Sequence, residues 1–424
     1  MRKTWLAVPV AALAVAPPWG ELRPLYEDLH AHPELSFQEA ATAVKLAGRL
    51  RALGFAVTTG VGKTGLVGVL ENGEGPVVLL RTEMDGLPIE ERTGLAFASR
   101  ATGVSPGGET VPVMHACGHD VHMTAWAGAA AALVADRKSW RGTLVMIGEP
   151  AEETGGGAKA MIDDGLLTRF PRPDFALAIH DHDALPAGTA AVRAGPIFAS
   201  ADSVDVVVHG RGGHGARPNM TVDPVVIAAR IVLSLQTLVS RENDPFDPAV
   251  VTVGSIHGGT KHNIIPDEVR MQLTVRAYKP EVRERLLRGI ERIARAEAEA
   301  ASAPAPPEVT VTSSTPVTVN DPAFAERVGA ALRAALGPSR MGEGIQVTAG
   351  EDFGRFGEAG IPIVVIWIGA SNPEALARAR RDGTPLPGLH SALFAPDAEA
   401  AVTTGMEALV AAARDAFRRG ARGR

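Results

Sequence analysis

The chain has 424 residues, 46% of them hydrophobic and 21% charged, with a formal net charge of −6. That length exceeds what one hydrophobic core normally serves and predicts two domains, while the apolar fraction excludes extensive disorder. No long basic run accompanies the acidic balance, which excludes nucleic acid as a partner.

In chain order, residues 1–20 read as a candidate secretory signal peptide. Arg2 and Lys3 precede the apolar stretch Trp5 to Ala16, and Ala12-Leu13-Ala14 offers an A-x-A cleavage site. A periplasmic or secreted protein is the expectation; the alternative is a cytoplasmic protein with an apolar leader, since Pro9 interrupts the run. No other stretch reaches the roughly 18 to 20 apolar residues of a membrane span. Ser36 and Glu39 have capping-box spacing, predicting a helix to about Leu53 that stops at Gly54. Apolar runs then end repeatedly in chemistry: Val77 to Leu80 before Arg81-Thr82-Glu83-Met84-Asp85, Leu144 to Ile147 before Glu149, Glu152 and Glu153, and Phe175 to Ile179 before His180. Such runs suit strands buried on both faces of an α/β sheet, and Thr124 to Ala135 reads as an Ala-rich helix between them. In open α/β sheets ligands sit beyond the carboxyl ends of the strands, so these groups are expected on one rim.

A different pattern begins near Gly195. Strand Ser203 to His209, a helix from Asp223-Pro224 to about Val239, strands Val250 to Ile256 and Glu268 to Tyr278, helix Pro280 to Ala300 and strand Glu308 to Ser313 give the order βαββαβ. The predicted fold class is therefore α/β: a mixed-sheet catalytic domain over 21–194 and 315–424, with a ferredoxin-like domain inserted at 195–314.

The densest chemistry is MHACGHDVHMT at residues 114 to 124, which holds the only cysteine. One cysteine makes no internal disulfide. A thiolate beside imidazoles suits borderline metal ions, and spacing alone offers His115, Cys117, His119 and His122 as ligands. Glu152-Glu153 follows a strand and precedes Thr154-Gly155-Gly156-Gly157. In extended backbone neighbouring side chains point to opposite sides, so one carboxylate could hold a metal while the other faces an attacking water. Gly210-Arg211-Gly212-Gly213-His214-Gly215 fits G-x-G-x-x-G but opens no helix directly, so it is no dinucleotide fingerprint. Serine-hydrolase elbows and P-loops are absent from the sequence.

Taken in order, MHACGHD, PAEETGGGAKAMIDDGL, GRGGHGARP, Asn263-Ile264-Ile265-Pro266, Gly350-Glu351-Asp352-Phe353 and Leu389-His390-Ser391 resemble the metal-dependent amidohydrolases of the aminoacylase and carboxypeptidase type. The branch they look like contains hippurate hydrolases and indole-3-acetyl-amino-acid hydrolases. The resemblance runs from about Leu29 to Met406. It implies two divalent ions, Zn, Mn, Co or Ni, bridged by Cys117, with Glu153 and His390 on one ion and His119 and His180 on the other. It further implies Glu152 as general base, Asp85 orienting a ligand histidine, and a homodimer whose inserted domain acts as lid and dimerisation surface. His214 would reach the reacting carbonyl from the partner subunit, and Asn263 and Arg276 would lie near the substrate carboxylate.

Three positions depart from that family pattern: Glu83 stands where Asp is usual, Asn219 where a second His often follows, and His180-Asp181-His182-Asp183 where a His-Asn-Trp-Pro-like run is common. The expected activity is hydrolysis of N-acyl amino acids to a carboxylic acid and a free amino acid. A dipeptidase or carboxypeptidase using the same site is the alternative, and a non-catalytic binder of acylated amino acids is the rival from another class.

Overall fold

A computed structural model describes residues 16–418. The expected leader falls almost wholly before them, outside the described residues. Among those described, no helix is long and apolar enough to cross a membrane.

The elements run α1 (Trp19–Ala31), α2 (Ala40–Ala52), β1 (Ala56–Val61), β2 (Gly65–Asn72), β3 (Val77–Glu83), α3 (His119–Ala135), β4 (Gly142–Glu149), β5 (Phe175–Pro186) and β6 (Ala190–Ala191). Then come β7 (Ser200–His209), α4 (Pro224–Ser240), β8 (Ala249–His257), β9 (Glu268–Ala277), α5 (Pro280–Ala300) and β10 (Glu308–Thr315). The chain closes with α6 (Pro322–Leu336), β11 (Ile363–Ser371) and α7 (Ala398–Arg418). Two compact units emerge among the described residues: one takes residues 16–195 with Val319–Ile345 and the chain from Phe356 on, the other Pro196–Thr318 with Gln346–Arg355.

The first unit is built on a mixed sheet ordered β1-β2-β4-β3-β5-β11-β6. Strands β4, β3, β5 and β11 run parallel to one another, with antiparallel β2 and β6 beside them, and they read as unbroken apolar runs because both faces are covered. Helix α3 is Ala-rich and apolar all round because it is buried on almost every side. It locks to the sheet through Trp126 Nε1, which donates to the Leu80 carbonyl at 3.0 Å. The sequence started this helix at Thr124. It begins five residues earlier, at His119, because Gly118 turns the chain at φ 79°.

The second unit has sheet order β8-β9-β7-β10, antiparallel throughout, with α4 and α5 packed on one face. This is the ferredoxin-like arrangement. Alternate residues of β7, Val204, Val206 and Val208, face Ile227, Ile231, Ile290 and Ile293 of the helices. Asp223 caps α4 by accepting from Val225 N at 2.9 Å. Segment Gln346–Arg355 belongs to this unit, whereas the sequence placed it with the first: Val347 N donates to Ile197 O, and Ala199 N to Ala349 O.

The Ser36/Glu39 capping box is not formed. Glu39 occupies the N-cap of α2 without a side-chain cap, while the Ser36 hydroxyl donates to Asp85 Oδ2 at 2.6 Å. Both side chains serve the neighbouring loops instead of the helix end.

Candidate metal centre

Five side chains from four segments of the first unit converge. Cys117 lies in the turn before α3, His119 in its first turn, Glu153 after β4, His180 on β5 and His390 in the loop before α7. Donor atoms of Cys117, His119 and His180 lie within 4.8 Å of one another, as do those of Cys117, Glu153 and His390. Cys117 is thus common to two triads. Its Sγ is 3.7 Å from His180 Nε2, and His390 Nε2 is 3.5 Å from Glu153 Oε2.

The two buried histidines of these triads have their tautomers set from behind. His119 Nδ1 donates to the Asp85 carbonyl at 2.8 Å, leaving Nε2 buried without a hydrogen bond. His180 Nδ1 donates to the Asp181 carbonyl at 2.8 Å, leaving Nε2 turned to Cys117. The other two histidines of the motif stand apart. His122 places Nδ1 3.0 Å from Glu83 Oε2 and accepts from Asp181 N with Nε2, so both its nitrogens are engaged. His115 is fully enclosed, and burial lowers it to about 4, so it stays neutral.

The glutamate pair corrects one expectation. Residues Glu152–Thr154 form a single tight 3₁₀ turn after left-handed Ala151, not extended chain. Both carboxylates therefore face His119 Nε2, at 4.0 Å for Glu152 and 3.9 Å for Glu153. Asp85 holds this turn: Oδ1 accepts from Glu152 N and Oδ2 from Glu153 N, each at 3.1 Å. Its carboxylate reaches His119 Nδ1 only at 3.6 Å, so the carbonyl orients the imidazole and the carboxylate orients the glutamates. Gly157 is required because a Cβ there would lie 1.7 Å from the Pro150 carbonyl.

His180 lies in mid-strand, not at a strand end, since β5 continues to Pro186 alongside β11. Asp181, one of the departures, is buried against Gly118, and burial followed by Asp120 and Glu83 pushes its carboxyl well above the usual range. Glu83 is buried between Arg81 and His122, and Arg81 also pairs with Glu149 at 2.8 Å.

The electrostatics suit cations. Burial, then Glu153, Glu152 and Glu83, push the Cys117 thiol well up. Burial also lifts Glu153 to about 7, opposed by His119 and reinforced by Asp85. Although burial works against it, the nearby Asp85 carboxylate and the charges of Glu83 and Glu153 carry His119 to about 10. Acidic groups so crowded need positive charge among them, and a thiolate, imidazoles and a carboxylate are the donor set of a borderline divalent ion.

The remaining expected site residues lie in the second unit. His214 is exposed on a two-residue ribbon, Gly213–His214 against Ile264–Ile265, with its Nδ1 accepting from Ala216 N. Gly215 N donates to the carbonyl of Asn263, which brings His214 and Asn263 to one loop cluster. Arg276 is half-buried on β9 and donates to Thr274 Oγ1. Asn219 sits in an exposed turn.

Several residues important to the site escaped the sequence reading: Ser36 and Glu39 behind the glutamate turn, and His30 with Asp120 and Glu91 behind α3. The Ser36/Glu39 spacing was the one available signal, and it pointed to a helix cap.

Comparison with known proteins gives a consistent picture. Residues 79–382 match the model of peptidase family M20/M25/M40. The chain is 38% identical over 333 residues to thermostable carboxypeptidase 2 of Saccharolobus solfataricus, covering 77% of this chain and 80% of that one. It is also 38% identical over 332 residues to the Arabidopsis thaliana protein IAA-amino acid hydrolase ILR1-like 2, covering 78% and 72%. A solved dinuclear metal-binding peptidase from Bacillus subtilis superimposes with a TM-score of 0.76 at 29% identity, over 94% of this chain and 98% of that one.

Proposed function

Because the chain belongs to peptidase family M20/M25/M40, we propose that it is a di-metal amidohydrolase that releases a carboxylic acid and a free amino acid from N-acyl amino acids. The observation that carries this reading is the pair of donor triads sharing Cys117, with Glu152 beside them.

In this reading Cys117, common to both triads, would hold two ions, one with Glu153 and His390 and the other with His119 and His180. When bound, two such ions would acidify a water toward neutrality and polarise the amide carbonyl. Glu152 takes the proton of the attacking water and returns it to the departing amine. Asp85 keeps Glu152 and Glu153 from rotating away, and His119 and His180 present Nε2 because their Nδ1 protons are held by backbone carbonyls. We extend to His214 the role of stabilising the developing oxyanion from the partner subunit, and to Asn263 and Arg276 that of meeting the substrate carboxylate. The free edge of β8 and the exposed Val226 and Leu233 of α4 support a homodimer. Export is proposed from the leader alone.

The similarity to a carboxypeptidase favours short peptides as a second substrate class. Purified protein with added Mn, Co or Zn, assayed on N-acetyl and N-benzoyl amino acids beside dipeptides, tests both. Turnover of the acyl compounds supports the first reading, and turnover of dipeptides alone the second. Stoichiometric binding without hydrolysis of either overturns both.

A further inference from the structure

Among the buried carboxylates of the first unit, Glu39 belongs to none of the donor groups. It is fully enclosed, and every oxygen is spoken for. Oε1 accepts from Phe37 N and from Ala151 N, each at 2.8 Å, and Oε2 accepts from Thr64 Oγ1 at 2.5 Å. The two backbone donors on Oε1 share a second property. Phe37 (φ 62°) and Ala151 (φ 51°) are two of the five non-glycine residues with positive φ among those described. An L residue is disfavoured there and persists only where its surroundings impose the conformation.

Both residues border the glutamate turn. Ala151 precedes Glu152 directly, and its carbonyl accepts from Gly156 N at 3.3 Å, closing the loop on itself. The Phe37 ring lies beside Gly156, where a Cβ would approach it at 3.5 Å, and carries Lys63 Nζ 3.9 Å above its centroid. With the Ala151 N–H released, this residue would relax to negative φ, and Glu152 and Glu153 would leave the face of His119 they now share.

We propose that Glu39 is a positioning residue for the glutamate pair, holding Phe37 and Ala151 left-handed through one carboxylate oxygen and so aiming Glu152 and Glu153. The proposal rests on the roles given to that pair above. Two variants separate aiming from bulk stability. Glu39→Gln keeps an oxygen for both N–H groups and can donate its amide to Thr64, whereas Glu39→Ala removes the acceptor altogether. The decisive third chain is Glu39→Ala with Ala151→Gly, because glycine adopts positive φ without penalty.

The expected result is a fall in kcat of about 10²-fold for Glu39→Ala, the scale of a small misplacement of reacting groups, with KM changed far less. Glu39→Gln should retain most activity, and Ala151→Gly should restore part of what Glu39→Ala loses. Amide hydrogen exchange provides a readout independent of any substrate: in Glu39→Ala it should accelerate at residues 151–156 and be recovered in the double variant. Full kcat with unchanged exchange in Glu39→Ala overturns the proposal. So does a loss that Ala151→Gly leaves untouched, with exchange raised across the whole unit. If the wild type hydrolyses no N-acyl amino acid or dipeptide, the reading of the activity fails, and the exchange experiment alone decides whether Glu39 aims the loop.

Discussion

His30 offers a quantitative test of how the turn bearing His119 is anchored. It projects from α1 between two carboxylates, with Nδ1 2.7 Å from Asp120 Oδ2 and Nε2 3.0 Å from Glu91 Oε1, and none of the three side chains is more than 1% exposed. Burial alone would lower its pKa, but the hydrogen bond and charge of Asp120, then those of Glu91, raise it from 6.5 to about 9. The folded state therefore binds this proton more tightly than the unfolded chain. Its stabilisation is fully present below pH 6.5, declines as pH rises, and is lost above about 9. At about 1.36 kcal/mol per unit, a rise of roughly two and a half units is worth about 3 kcal/mol. Urea unfolding at pH 6 and pH 9.5, with chelator throughout, should show the wild type losing about 3 kcal/mol more than His30→Gln over that interval. Other titrating groups act on both chains and cancel in the difference. Parallel pH dependence of the two proteins would refute the charged clamp.

Three further outcomes follow from the geometry. Cys117→Ser should weaken retention of both ions by more than about 10²-fold, whereas His390→Asn should weaken one; metal content after gel filtration distinguishes the patterns. His214→Ala should lower kcat by about 10²- to 10³-fold, the usual cost of one oxyanion donor, yet change unfolding free energy by less than about 0.5 kcal/mol because the side chain is exposed. Gly118→Ala should destabilise the fold by about 1–3 kcal/mol, measured by thermal unfolding, since φ is 79° and a Cβ would lie 2.5 Å from Asp181 Oδ2.

The strands were legible where burial on both faces left an unbroken apolar run, as at Val77 to Leu80, and in the second unit where alternation along β7 marked one buried face. Ends were less legible. The apolar signal stops at Ile179, but the hydrogen-bonding ladder with β11 carries β5 through polar His180, Asp181 and His182. Periodicity likewise could not show that α3 opens at His119, because the polar HDVH segment is buried by partners from distant loops. Local spacing offered four ligands in MHACGHDVHMT; what distinguishes His119 from His122 is which groups reach their nitrogens, the Asp85 carbonyl just past β3 for His119, and the Glu83 carboxylate of β3 with Asp181 N of β5 for His122. Ser36 and Glu39 misled for the same reason, since their donors and acceptors lie on loops remote in sequence.

In the proposed reading one thiolate joins two metal sites beside a glutamate base. Metal analysis of the purified protein, paired with turnover of an N-acyl amino acid by wild type and Glu152→Gln, tests it most directly. Two ions per chain in both proteins, with turnover lost only in Glu152→Gln, is the predicted result. A single ion per chain, or undiminished turnover in Glu152→Gln, would contradict it.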